Sequence, residues 1–201
     1  MSRVLSMEHL KDSRLTLFCL VNSLYTLGYY IPLDFLPDAM FKEHGISKLR
    51  SGNIISFYGV ASTIGRFSGA LITNYFENSA LLLIIVCMVS LGCACIGMAV
   101  STYYWHFVVC IFVYGIFLGM FSVLRPISLI DMFGMESLNE SYGIIMLCNG
   151  ISTLLGPPMA GWLKVLWGEY YYDFLITGGI FNVGGVLALI LFWENKRKVT
   201  N

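Results

Sequence analysis

Charge is what this chain lacks most. Asp, Glu, Lys and Arg make up 12% of its 201 residues, against about 25% in a soluble domain. With 57% hydrophobic residues and a mean hydropathy of +0.75, it carries more apolar surface than one core can hide. Lipid must therefore be its solvent. Net charge is zero and no basic tract exceeds Lys196-Arg197-Lys198, so nucleic-acid binding has no electrostatic footprint. The chain has only three histidines, and His106, beside Trp105, reads as interfacial. There is no Gly-x-Ser-x-Gly, no paired-histidine metal spacing and no glycine loop for phosphate. An enzyme is therefore not expected, and neither is a metal or another cofactor. The six cysteines (Cys19, Cys87, Cys93, Cys95, Cys110, Cys148) all fall in apolar runs and read as small hydrophobes, not as a disulfide frame. The first apolar run is too long for the apolar core of a signal peptide, so no cleavable leader is expected.

What is present is a series of long apolar runs. A spanning helix needs about 20 mainly apolar residues. Six runs qualify: 15–36, 54–75, 80–100, 104–124, 142–163 and 174–193. The breaks between them are polar or turn-like, and none is long enough for a soluble domain. The expected fold is all-α: one transmembrane domain, residues 1–201, of six helices. Six helices put both ends on one side of the bilayer. That side would hold seven basic residues (Arg3, Lys11, Arg14, Arg125, Lys196, Arg197, Lys198), and the other four (Lys42, Lys48, Arg50, Lys164). The excess favours cytoplasmic termini.

One residue breaks the apolar pattern. Arg66 is the only charge in the run 54–75. A mid-bilayer arginine costs about 2.5–3.5 kcal/mol or more, so it calls for a water-filled path or an anionic ligand. At helical spacing its face holds Gly59, Ser62, Thr63, Gly69, Ala70 and Thr73, all small or polar, while Phe57, Val60, Ile64, Phe67 and Leu71 lie opposite. The plainer reading is an arginine that snorkels to the interface. Ala61, Gly65 and Gly69 recur at four-residue spacing, as do Gly115 and Gly119. Such stripes let helices approach closely, inside one bundle or between two copies. Pro32 and Pro37 bracket Asp34, the only acid within an expected span, and Gly156-Pro157-Pro158 interrupts the fifth run. Proline removes a backbone donor, so both places are expected helix breaks, either hinges at a gate or static kinks.

Several motifs together resemble the C-terminal half of a monocarboxylate transporter of the major facilitator superfamily. Leu155-Gly156-Pro157-Pro158 with Gly161, then Gly168-Glu169-Tyr170, is similar to a paired motif of that family. Asp131-Met132-Phe133-Gly134, the stretch from Pro32 to Asp38, Gly45-Ile46-Ser47, and Gly65-Arg66 followed by Asn74 are similar to others. The resemblance covers nearly the whole chain. It implies helices seven to twelve of a twelve-helix bundle, with both termini cytoplasmic and the plasma membrane as location. It also implies a small carboxylate as substrate. Arg66 then takes the place of the arginine that pairs with the substrate carboxylate, with Ser62 and Asn74 beside it. Proton-coupled members carry an aspartate four residues before this arginine. Here that position is Ser62, so symport through that pair is not expected. The other six helices of the fold would come from an N-terminal half or another transporter chain. The alternative is a truncated, non-transporting membrane protein that modulates or assembles with a full-length partner.

Overall fold

The computed structural model describes residues 12–75, 79–135 and 138–200. Among them the chain forms six α-helices and no strand: α1 (Ser13–Lys42), α2 (Lys48–Tyr75), α3 (Ala80–Val100), α4 (Tyr104–Phe133), α5 (Leu138–Trp167) and α6 (Tyr170–Thr200). The short connection expected at Glu77-Asn78, and Arg3 and Lys11, lie outside the described residues.

The third helix has the bounds expected from the sequence, and the other five run further. Lipid limits the apolar stretch to about 20 residues. Backbone hydrogen bonding does not stop at the headgroups, and 30 residues of helix reach about 45 Å, the full bilayer with its headgroup layers. The prolines do not interrupt this. α1 continues through Pro32 and Pro37, α4 through Pro126 and α5 through Pro157 and Pro158. Neither expected break, at Pro32–Pro37 or at Gly156-Pro157-Pro158, ends its helix: the turns stay helical although each proline lacks a donor. Gly156 has a different use. A Cβ there would meet the Leu27 carbonyl oxygen of α1 at 2.9 Å, so this glycine lets α5 lie against α1.

The most extensive helix pairings run in the order α2, α4, α3, α6, α1, α5, and smaller ones between α1 and α2, α4 and α5, and α5 and α6 close the bundle. α3, α4 and α6 are each long and apolar enough to cross a membrane alone. α1, α2 and α5 are more polar and pack against them. The core is aromatic where α1, α4 and α6 meet: Tyr25 stacks on Phe121 (centroids 3.9 Å apart, 12° between planes), with the Phe181 ring edge-on at 6.4 Å. Two buried tyrosines tie helices through backbone oxygens. Tyr114 Oη donates to the Tyr29 carbonyl at 3.0 Å, and Tyr25 Oη to the Leu118 carbonyl at 3.3 Å.

Polar clusters hold both ends of α1. At one end Asp12 caps the helix and accepts from the Arg14 backbone N–H at 3.1 Å, from Arg14 Nη2 at 2.9 Å and from Lys198 of α6 at 3.2 Å. The Arg14 hydrogen bond, chiefly, holds the Asp12 carboxyl down at about 2. Arg14 also donates to Asn195, and Ser13 to Glu194, so the start of α1 and the end of α6 sit together. At the other end Asp38 accepts from Lys42 at 2.7 Å and from the Tyr170 hydroxyl at 2.5 Å, while Glu43 accepts from the Tyr170 backbone N–H at 2.7 Å. Burial raises the Glu43 carboxyl above its usual range.

The closest approach in the bundle is α2 on α4. A Cβ at Gly65 would collide with the Ile116 carbonyl, and one at Gly119 with the Ser62 carbonyl. Gly115 lies against Ala61, and Gly69 against Met120. The two small-residue stripes thus meet each other inside the bundle. Contacts advance in the same direction on both helices, so α2 and α4 are parallel. A Gly65→Ala change should destabilise the fold by about 1–3 kcal/mol, because two backbones must part. Gly59→Ala should be nearly neutral, since a Cβ there meets nothing within 4 Å. Thermal unfolding of both variants in nanodiscs reads the difference, and equal stability of the two would contradict this packing.

Candidate functional site: the Arg66 sector of α2

α2 is buried along one narrow stripe only: Ser51, Ile54, Ala61, Ser62, Gly65 and Gly69. Tight packing of that stripe on α4 fixes the rotation of α2 about its axis. Every other direction follows from it at 100° per residue. About a third of a turn from the stripe lies an exposed sector of small and polar residues: Gly59, Thr63, Arg66, Ala70 and Asn74. Beyond it comes an exposed apolar sector of Phe57, Val60, Ile64, Phe67 and Leu71, which suits lipid.

Arg66 is exposed, and among the described residues no carboxylate pairs with it. It lies nine residues before the end of α2, well inside the helix. Its side chain leans toward the start of α2, as helical side chains do. The start of the helix offers Tyr58, whose hydroxyl lies 3.2 Å from that of Tyr29 on α1. Arg66 is within electrostatic reach of Tyr29. The neighbouring hydroxyls are turned inward: Thr63 donates to the Gly59 carbonyl and Thr73 to the Gly69 carbonyl, each at 3.0 Å. They smooth the sector and leave Arg66 as its one charged donor.

The other residues singled out from the sequence are placed unequally. Asn74 is exposed, two turns from Arg66 on the same side. Ser62 is 5% exposed and stands under α4, beside Gly119, so it belongs to the seam and not to the open sector. Asp34 is exposed near the far end of α1, while Pro32 is buried and Pro37 partly so. Gly156 and Pro157 sit on α5, away from α2, with Gly156 against α1. The structure therefore puts Arg66, Thr63 and Asn74 in one exposed sector of α2 and places the Tyr29–Tyr58 contact about two turns nearer the start of that helix, a contact that sequence reading missed. Tyr58 falls two turns before Arg66 on the buried side, and nothing in a one-helix pattern says that α1 brings Tyr29 to it.

Arg125 is placed differently from the expectation. The sequence puts it just past the fourth apolar run, 104–124, among the basic residues between spans. In fact α4 continues to Phe133, and Arg125 lies inside the bundle against Tyr25 and Phe121. Without Arg125, the count expected from the sequence for the side of the termini is six, against four for the other.

The Tyr29–Tyr58 contact is open to a direct test. Tyr29→Phe and Tyr58→Phe should each cost about 0.5–1.5 kcal/mol, and the double variant no more than either. Thermal unfolding of all four proteins gives the coupling, and additive losses would show that the hydroxyls do not bond.

Comparison with known proteins agrees with this architecture. Over 89 residues the chain is 42% identical to human monocarboxylate transporter 14, covering 44% of this chain and 17% of that protein. It is 28% identical to mouse monocarboxylate transporter 2 over 84% of this chain and 35% of the relative. It is 25% identical to mouse monocarboxylate transporter 1 over 88% of this chain and 36% of the relative. The chain thus spans about a third or less of the length of these relatives. The family model of the Major Facilitator Superfamily matches residues 18–201, nearly the whole chain. With six helices, three of them apolar enough to span alone, and relatives named as transporters, this membrane protein belongs to the Major Facilitator Superfamily.

Proposed function

We propose that the chain is the C-terminal six-helix half of a transporter that moves monocarboxylates or related organic anions across the plasma membrane. Arg66 holds the substrate carboxylate. One observation carries the reading: an arginine well inside a membrane helix, exposed on a small-residue sector, with no acid to neutralise it among the described residues. An ordinary structural arginine in lipid would be paired or placed at a helix end. A planar guanidinium matches a carboxylate through two parallel hydrogen bonds. The second wall of the path, and further substrate contacts, come from a six-helix N-terminal half or another transporter chain. The half then rocks against its partner around Arg66. Asn74, on the same open side, lies further along this path. The names of the relatives, all monocarboxylate transporters, support the substrate class.

The test is uptake of labelled lactate in cells expressing the transcript that encodes this chain. Arg66→Ala should remove a charge-assisted contact of about 1.5–3 kcal/mol, which is about a tenfold to hundredfold loss of uptake at unchanged surface amount. Uptake near wild type would overturn the assignment. The native protein should also respond little to an imposed pH gradient, because Ser62 cannot titrate where an acid would exchange the proton.

We place both termini in the cytoplasm. Asn139-Glu140-Ser141 is an acceptor sequon, and Asn139 is exposed in the first turn of α5, at the same end of the bundle as the termini. It should carry no glycan, since transfer occurs on the lumenal side. An epitope tag after Asn201 should be reached by antibody only in permeabilised cells. A glycosidase-sensitive mobility shift that Asn139→Gln removes would reverse the orientation.

A further inference from the structure

A second cation stands inside the bundle. Arg125 lies on α4 eight residues before Phe133, whose ring sits under the Arg14 guanidinium at 5.1 Å, at the end that holds both termini. Eight residues of helix put Arg125 about 12 Å into the bundle from that end. Its side chain leans toward the start of α4 and therefore deeper still. There the guanidinium carbon lies 5.3 Å from the Tyr25 ring centroid and 5.7 Å from that of Phe121. Those two rings are stacked on each other and buried, and Tyr25 is pinned by its hydrogen bond to Leu118. The Nε of Arg125 is buried without a hydrogen-bond partner, while the residue as a whole stays partly open. Among the described residues no carboxylate pairs with it.

This arrangement differs from a snorkelling arginine. The cation is not released toward the headgroups but held by a fixed aromatic pair, with donors left unused. Ring contacts hold the guanidinium plane and consume none of its N–H groups. What remains is a preset fork for a carboxylate. The seam between α2 and α4 sets how far it lies from Arg66. Gly65 lies against Ile116 and Gly69 against Met120, so Arg66 is level with about residue 117 on α4. Arg125 is eight positions further, about 12 Å along parallel axes. One small carboxylate cannot bridge that distance, so the two arginines would act in succession.

We propose that Arg125 is a second carboxylate-holding station, nearer the end that holds both termini than Arg66, on which the anion rests as it passes along the path. The order of the stations rests on the transport reading above, whereas the capacity of Arg125 to hold a carboxylate rests on its own surroundings.

The experiment uses the chain in nanodiscs of phosphatidylcholine, which supplies no anionic lipid. Phenylglyoxal modifies guanidinium groups, and mass spectrometry of peptides reads Arg66 and Arg125 separately. The probe is L-lactate, with its methyl ester as the neutral control. Lactate at about ten times its half-protecting concentration should slow modification of Arg125 about tenfold. The ester should not protect, and protection of Arg125 should persist in Arg66→Ala. Protection of Arg66 alone would overturn the second station and leave the transport reading standing. Protection of Arg125 alone would support the station and overturn the role given to Arg66. Protection of neither overturns both. An Arg125 that never reacts, with or without lactate, also overturns the station.

Discussion

The contact on which the site depends is the backbone-close seam between α2 and α4. α2 has no large buried side chain along most of its length; small residues hold it in place. In lipid there is no hydrophobic gain from pairing two apolar helices, so close packing must hold them together. Gly65 and Gly119 let each helix reach the other's carbonyls, and neither tolerates a Cβ without a shift. Such a seam allows one rotation of α2. That rotation turns five large apolar residues outward and swings Arg66 to the flank between them and α4. A seam of leucines would tolerate several rotations and would not place a charge so definitely.

The cost of Arg66 explains why this placement matters. A cation at this depth is unfavourable against lipid, and no acid in the described chain offsets it. The neighbouring threonines do not compensate, because their hydroxyls are spent on their own helix. The small sector therefore has a physical requirement of its own: water or an anion must reach it. The rest of the bundle makes that sector rigid. α4 is held to α1 by Tyr25 and Tyr114, and α1 is held at both ends by ionic clusters centred on Asp12 and Asp38. The proposed rocking of two halves would need each half to move as one body, and cross-links of this kind at three levels would serve that need.

Much of this was legible in the chain, for reasons that can be traced to residues. Arg66 stood out because one charge in a long apolar run has few explanations. Six helices followed from six runs of bilayer length, and the third kept its expected bounds, between Ser79 before it and Ser101-Thr102-Tyr103 after it. The glycine stripes were visible, though not that they face each other. The helix ends were less legible. Pro37 looks like a terminator in a single sequence, and Arg125 looks like the first residue past a span, yet packing carries α1 and α4 further and Arg125 lies inside the bundle. Ser62 shares a wheel position with Arg66, but periodicity gives angles about one axis and says nothing of which angle a neighbour covers. The Tyr29–Tyr58 pair needs two helices at once, and no local pattern records it.

The central claim is that α2 turns its small, polar sector to water and its apolar sector to lipid. Spin labels placed one at a time at Gly59, Thr63, Ala70 and Asn74, and at Val60, Ile64, Phe67 and Leu71, test it without altering Arg66. Power-saturation spectroscopy in nanodiscs compares collisions with a water-soluble nickel chelate and with oxygen. The first set should favour the chelate and the second oxygen, alternating with helical period along the same segment. Preference for oxygen at all eight positions would put Arg66 against lipid and contradict the account.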